Sequence, residues 1–120
     1  MKVQIWHSRG EYNFTAELYE PIKKAPFFSF HTFIFPHDAS IQVFSEETLK
    51  EIDVFIAETS YPSTGLWIEL WIAKMLWKRI VWIYKKGTVP SSSIDFVTQE
   101  KYEYSTISEL LEIIERIVTW

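Results

Sequence analysis

Cysteine is missing from the chain, and glycine and histidine are scarce, with three residues of each among 120. A chain without cysteine has no disulfide framework and no thiolate chemistry. His7, His31 and His37 have no ligand spacing between them, so the sequence predicts neither a metal site nor another cofactor. The G-x-S-x-G elbow of serine hydrolases and the phosphate-binding P-loop are also absent, which excludes two common kinds of site.

An excess of positive charge is missing as well. The formal net charge is −4, which disfavours nucleic acid as a partner because a polyanion binds best to a basic face. Met1 leads directly into an alternating polar and apolar pattern, without the basic and apolar regions of a signal peptide. The apolar segment 66–84 contains Glu69, Lys74 and Arg79, so we do not expect it to span a membrane. We therefore expect a cytoplasmic protein.

Apolar and aromatic residues are abundant, at 48% and 18% of the chain. They suffice for a moderate core in one domain, residues 1–120, and they exclude a disordered chain. The high aromatic content also favours a homodimer or larger assembly, because a symmetric interface can bury several rings.

Short apolar runs alternate with helical patterns along the chain. Strands are predicted at residues 2–6, 30–35, 54–57, 80–84 and 94–97, with 102–104 as the alternative fifth strand. Helices are predicted at residues 12–24, 46–51, 66–77 and 106–118, and Pro21 is expected to kink or end the first of them. The last helix has one apolar face, made of Ile107, Leu110, Leu111, Ile114 and Ile117. This alternation predicts a parallel sheet of about five strands with helices on both faces, a three-layer α/β sandwich.

Residues 53–87 are the centre of this pattern, because they read as two buried strands joined by a crossover helix. In parallel α/β sheets, ligands bind outside the carboxyl ends of the strands. The turn at residues 62–65 lies at that end, so we expect the functional site there.

Glu69 is the most distinctive polar residue of this unit, since its neighbours on both sides are apolar. The helix macrodipole favours its ionised form near the helix start, and desolvation opposes it. A carboxylate in a dry cleft can attack an anomeric carbon, as glycosidases do. The alternative is a glutamate that faces solvent, and periodicity alone leaves both interpretations open.

Two further groups are candidates for anion binding. Ser63 and Gly65 belong to a turn whose hydroxyls and amides precede a helix, which is a site for an anion or simply an N-cap. Ser8 and Arg9 follow the first strand, where they can bind a phosphate or carboxylate or remain solvated.

An aspartate-led strand, an Ala-Glu pair, a Pro-Ser-x-Gly turn and a Glu-Leu pair follow one another in residues 53–70. In this order the segment resembles the core motif of the nucleoside 2-deoxyribosyltransferase superfamily, which includes the 2′-deoxynucleoside 5′-phosphate N-hydrolases. The matching residues are Asp53, Ala57, Glu58, Pro62, Ser63, Gly65, Glu69 and Leu70.

The resemblance implies a flavodoxin-like sheet and an N-glycosidase or deoxyribosyltransferase acting on a 2′-deoxynucleoside or its 5′-monophosphate. Glu69 would be the nucleophile that forms a deoxyribosyl-enzyme intermediate. Ser8, Arg9 and Ser63 would bind the phosphate. Ser93 would reach the site of a neighbouring subunit in a homo-oligomer.

The chain departs from the family pattern at several positions. Ser45 stands where an aspartate usually assists catalysis, and Gln4 replaces an aromatic residue of the first strand. Trp67 and Trp71 stand where the family keeps glycine, which lets substrate approach the backbone. These departures favour an alternative function, a non-catalytic nucleotide- or sugar-binding protein on the same fold.

Trp77 adds a third tryptophan at a position that favours glycine, because it ends the predicted helix 66–77. One origin accounts for Trp67, Trp71 and Trp77 together: a source that reads UGA as glycine, with the gene translated here as if UGA were tryptophan. The other origin is a divergent aromatic core, and the sequence leaves both open.

Overall fold

The computed structural model describes residues 1–7, 12–35, 46–61, 64–88, 98 and 100–119, with only the backbone at positions 46, 48, 64–67 and 69. These residues form five strands and four α-helices. The strands are β1 (Lys2–His7), β2 (Thr32–Ile34), β3 (Val54–Glu58), β4 (Arg79–Lys85) and β5 (Lys101–Tyr104). The helices are α1 (Glu20–Lys24), α2 (Glu46–Lys50), α3 (Thr64–Met75) and α4 (Ile107–Val118). A π-helical segment, Thr15–Tyr19, leads into α1, and a 3-10 helix, Pro26–Phe30, follows it.

The strands form one parallel sheet in the order β2-β1-β3-β4-β5. Alternate residues of each strand face opposite sides of the sheet, and each side has its own apolar cluster. Val3 and Ile5 of β1 pack on the side that holds α1 and α4, whereas Trp6 packs on the side that holds α2 and α3. The predicted three-layer, flavodoxin-like α/β sandwich is confirmed.

Several predicted elements have other bounds in the structure. The second strand is only three residues long, Thr32–Ile34, and Phe30, the first residue of the predicted strand, ends the 3-10 helix instead. The first helix does not stop at Pro21; it changes from π to α geometry at Glu20 and continues to Lys24. The fifth strand of the sheet is the alternative prediction, Lys101–Tyr104, and residues 94–97 lie outside the described residues.

The amphipathic helix α4 is confirmed, with one correction to its apolar face. Leu110, Ile114 and Ile117 are buried, and the Thr106 hydroxyl caps the helix by accepting a hydrogen bond from the Glu109 amide at 3.1 Å. Ile107, the first residue of α4, is 48% exposed and does not belong to the buried face.

Helix α3 ends in the geometry that favours glycine. Trp77 has φ 57°, its amide donates to the Lys74 carbonyl at 3.0 Å, and the Lys78 amide donates to the Ala73 carbonyl at 3.2 Å. This pair of bonds is the Schellman motif, whose left-handed residue is usually glycine. The Trp77 side chain is 94% exposed, so little packing offsets the strain. No helix within the described ranges has the length and apolarity to cross a bilayer.

Candidate active site

The carboxyl ends of β1 and β3 define the candidate site. The sheet order reverses between these two strands, since β2 lies on one side of β1 and β3 lies on the other. Ligands of doubly wound sheets bind at such a switch point. His7 and Glu58 are the last residues of their strands and are paired in register there.

Gly65 and Glu69 are brought to this edge by the backbone of α3. The helix starts at Thr64, shortly after β3, so Gly65 lies in its first turn and Glu69 in its second. The other predicted site residues, Ser8, Arg9, Ser63 and Ser93, lie outside the described residues, as does Ser45.

The two carboxylates of β3 have separate environments. Asp53 precedes the strand at its amino end, where its Oδ2 accepts a hydrogen bond from the Lys2 amide at 2.7 Å. Glu58 ends the strand at the opposite edge and is 1% exposed. Glu58 is therefore the carboxyl group of this strand that belongs to the candidate site.

Glu58 is the centre of a hydrogen-bond network. Its Oε1 accepts from the Ser60 amide at 2.5 Å, and its Oε2 accepts from the Tyr104 hydroxyl at the end of β5. Burial raises the pKa of Glu58 above its ordinary value, and the bonds from Ser60 and Tyr104 only partly offset this. Sequence reasoning treated Glu58 as a match to a motif and gave it no role.

Two tyrosines beside this carboxyl group keep their protons at physiological pH. Burial, followed by the negative charge of Glu58, raises the pKa of Tyr104 and of Tyr12 above the ordinary value. Both are therefore neutral hydroxyl groups that can donate hydrogen bonds.

Lys85 is a cation whose charge acts on Glu58 and favours its ionised form. Its Nζ donates to Glu17 Oε1 at 2.8 Å and to the Tyr61 hydroxyl at 3.3 Å. The ammonium group also lies 5.0 Å from the ring centre of Tyr12, which stacks on Tyr61. Burial lowers the pKa of Lys85, but its bonds to Glu17 and Tyr61 outweigh burial and raise the pKa overall.

His7 is fixed by aromatic neighbours on the same side of the sheet. Its Nε2 lies 2.5 Å from the Tyr19 hydroxyl, and its ring stacks on Phe14 with a centroid distance of 4.3 Å. The described residues contain no group of three or more potential metal-ligating side chains. The signal that could have drawn attention to His7 and Glu58 is their position, at the ends of two strands that flank a switch point.

A cleft of about 460 Å³ opens beside this network, at the ends of β4 and β5. The cleft lies next to the start of α4 and not at the switch point between β1 and β3. Its lining consists of Glu17, Lys85, Lys86, Tyr104, Ser105, Thr106 and Ile107.

Solved structures with the same fold extend over almost the whole chain. One is the CMP N-glycosidase BcmB of Clostridium botulinum, at 18% identity and a TM-score of 0.67, with 98% of this chain and 99% of that chain covered. Another is a conserved protein of Enterococcus faecalis V583, at 14% identity and a TM-score of 0.62, with 98% of both chains covered. The sequence matches no protein-family model and no curated protein. The fold of this chain is therefore that of the CMP N-glycosidase structure.

Proposed function

We propose that the chain is an N-glycosidase or deoxyribosyltransferase that cleaves the N-glycosidic bond of a 2′-deoxynucleoside or its 5′-monophosphate. The observation that carries the proposal is the position of Glu69, in the second turn of a helix that begins at the carboxyl edge of the sheet. The full-length likeness to a structure named as a CMP N-glycosidase supports it.

In the proposed reaction, the Glu69 carboxylate attacks C1′ of the sugar while the bond from C1′ to the base breaks. The departing base takes up a proton. Water then hydrolyses the glycosyl ester, which frees the sugar and regenerates Glu69, or a second base takes the place of water. Gly65, in the first turn of α3, would leave room for the substrate.

The test is incubation of the protein with 2′-deoxynucleosides, their 5′-monophosphates and CMP, with detection of free base. We expect base release by the wild type and its loss in Glu69→Gln. The matched control is Glu112→Gln, which removes the same charge from an exposed position on α4. Equal rates in Glu69→Gln and the wild type would exclude Glu69 as the nucleophile.

The alternative function is binding of a nucleotide or sugar without catalysis. The tryptophans at positions 67 and 71 and the serine at position 45 favour it, because they replace residues that the resembled family uses around its substrate. Nucleotide binding without base release from any member of the panel would support this alternative.

A preference for the 5′-phosphate is part of the proposal, with Ser8, Arg9 and Ser63 as the phosphate-binding residues. A charge-assisted hydrogen bond contributes roughly 1.5–3 kcal/mol, so one such bond gives about a tenfold preference or more. Calorimetric titration of Glu69→Gln with a deoxynucleoside and its monophosphate measures this ratio. Equal affinities would contradict the assignment.

A shared site in a homo-oligomer is the last part of the proposal, with Ser93 contributing to the site of a neighbouring subunit. We expect a dimer or larger species in light scattering at micromolar concentration. A monomer under these conditions would remove the role of Ser93.

A further inference from the structure

The connection between β3 and α3 is held by residues far from it in the sequence. Thr59 donates its amide to the Ile83 carbonyl at 2.9 Å, and the Ser60 hydroxyl oxygen accepts from the Lys85 amide at 2.7 Å. The Ser60 amide donates to Glu58, and Glu58 accepts from Tyr104. Residues 58–60, which lead from β3 towards α3, are thereby tied to the ends of β4 and β5.

We propose that Glu58 is a positioning residue of the candidate active site: its carboxyl group accepts hydrogen bonds from Ser60 and Tyr104, holds the connection that follows β3, and so sets the place of α3 and Glu69. The inference rests on the proposed function, because it concerns the same site. Glu58 acts through the connection, since it is 1% exposed.

The charged and titratable groups around Glu58 come from each neighbouring element. Tyr104 approaches from β5, Lys85 from β4, and Tyr12 and Glu17 from the segment that leads into α1. His7 is paired with Glu58 in register from β1. Lys85 is the cation of this set, and it already forms an ion pair with Glu17. An ionised Glu58 would therefore have only partial compensation for its burial.

The direction of the pH dependence follows from linkage. Burial raises the pKa of Glu58 in the closed connection above its ordinary value of 4.5. In an open connection, water would reach the carboxyl group and its pKa would return towards that value. The closed form thus binds the proton more tightly, so rising pH favours the open form.

The resulting expectation is a loss of activity on the alkaline side of the Glu58 pKa. A single ionisation of this kind lowers kcat by about tenfold per pH unit once the pKa is passed. Glu58→Gln should not show this alkaline loss of kcat, because its side-chain amide does not ionise. The glutamine can still accept a hydrogen bond from the Ser60 amide and can donate one to Tyr104. Tyr104→Phe should move the alkaline loss of kcat to higher pH, since the hydrogen bond from Tyr104 lowers the pKa of Glu58.

The experiment has two arms, each performed on the wild type, Glu58→Gln, Tyr104→Phe and the control Glu103→Gln, an exposed carboxylate on β5. The first arm is the pH profile of base release. The second is amide hydrogen exchange at Ser60 by NMR, corrected for the intrinsic effect of pH. We expect the wild type and Glu103→Gln to lose protection at Ser60 as pH rises, and Glu58→Gln to show no such loss.

The inference would be overturned if the exchange rate of the Ser60 amide depended on pH in the same way in the wild type and Glu58→Gln. It would also be overturned if Glu58→Gln lost base-release activity at high pH as the wild type does. If no nucleotide releases base but the exchange results are as expected, the proposed glycosidase activity fails and the role of Glu58 in holding the connection is supported.

Discussion

Two of the connections that lead from the carboxyl edge of the sheet into a helix are held in different ways. Between β5 and α4, Thr106 caps a helix amide only three residues away. Between β3 and α3, Ser60 is bound by Glu58 and by Lys85, which lies 25 residues away, and Glu58 is bound by Tyr104, 46 residues away. A local cap fixes where one helix begins. The long-range bonds instead couple the end of β3 and the residues that follow it to two other strands, as a site assembled from several strand ends requires.

The largest effect is expected for Glu58→Ala, which breaks the long-range connection. The Ser60 amide and the Tyr104 hydroxyl lose their acceptor in a buried place, at roughly 1–3 kcal/mol for each unsatisfied group. Relief of the buried carboxyl offsets part of this, so we expect a loss of about 2–3 kcal/mol in the free energy of unfolding in urea at mildly acidic pH. Glu103→Ala should change it by less than about 0.5 kcal/mol. A similar loss in both variants would contradict the described network.

Tyr104→Phe tests the same network with one bond fewer. The Glu58 Oε2 loses its donor while the ring stays in the core, so we expect a loss of about 1–1.5 kcal/mol. Urea unfolding of Tyr102→Phe, at a partly buried position of the same strand, is the control. A loss of the same size in Tyr102→Phe would mean that the Glu58 bond contributes nothing specific.

Thr106→Ala tests the local connection. Removing the cap of α4 should cost about 1 kcal/mol, because the Glu109 amide loses its acceptor near solvent. In contrast to Glu58→Gln, this variant should keep the wild-type pH dependence of stability. For the wild type, the raised pKa of Glu58 gives stability that is present below the ordinary value of 4.5 and is lost as pH rises through the folded-state pKa. If the free energy of unfolding of Thr106→Ala depended less on pH than that of the wild type, the distinction between the two connections would be lost.

The smallest effect concerns the far end of α3, where Trp77→Gly should stabilise the protein. Relief of the left-handed backbone contributes about 1–2 kcal/mol, and the greater freedom of glycine in the unfolded chain offsets about 0.4–1 kcal/mol. We expect a net gain of about 0.5–1 kcal/mol in urea unfolding. Trp71→Gly, inside α3, is the control and should destabilise the helix. A loss of stability in Trp77→Gly would show that the indole contributes packing.

The codons of the source gene decide the origin of these tryptophans. UGA codons at positions 67, 71 and 77 would make glycine the native residue at all three. UGG codons would establish a divergent aromatic core, and Trp77 would then be a strained position retained by the chain.

Features set by neighbouring residues were accessible to sequence analysis. The buried runs of β3 and β4 and the apolar stripe of α4 follow from periodicity. The exposure of Ile107 was not predicted, because periodicity alone does not show which end of an apolar stripe is covered by other residues. The partners of Glu58 were not predictable from the sequence either, since Tyr104 and Lys85 are brought near it only by the register of the parallel sheet.

The central claim is that Glu69 forms a covalent bond to the sugar, and mass spectrometry of the protein mixed rapidly with a cleaved nucleotide tests it most directly. We expect a mass increase equal to the sugar or sugar phosphate, located on the peptide that contains Glu69 and absent in Glu69→Gln. Location of the added mass on another peptide, or undiminished base release by Glu69→Gln, would contradict it.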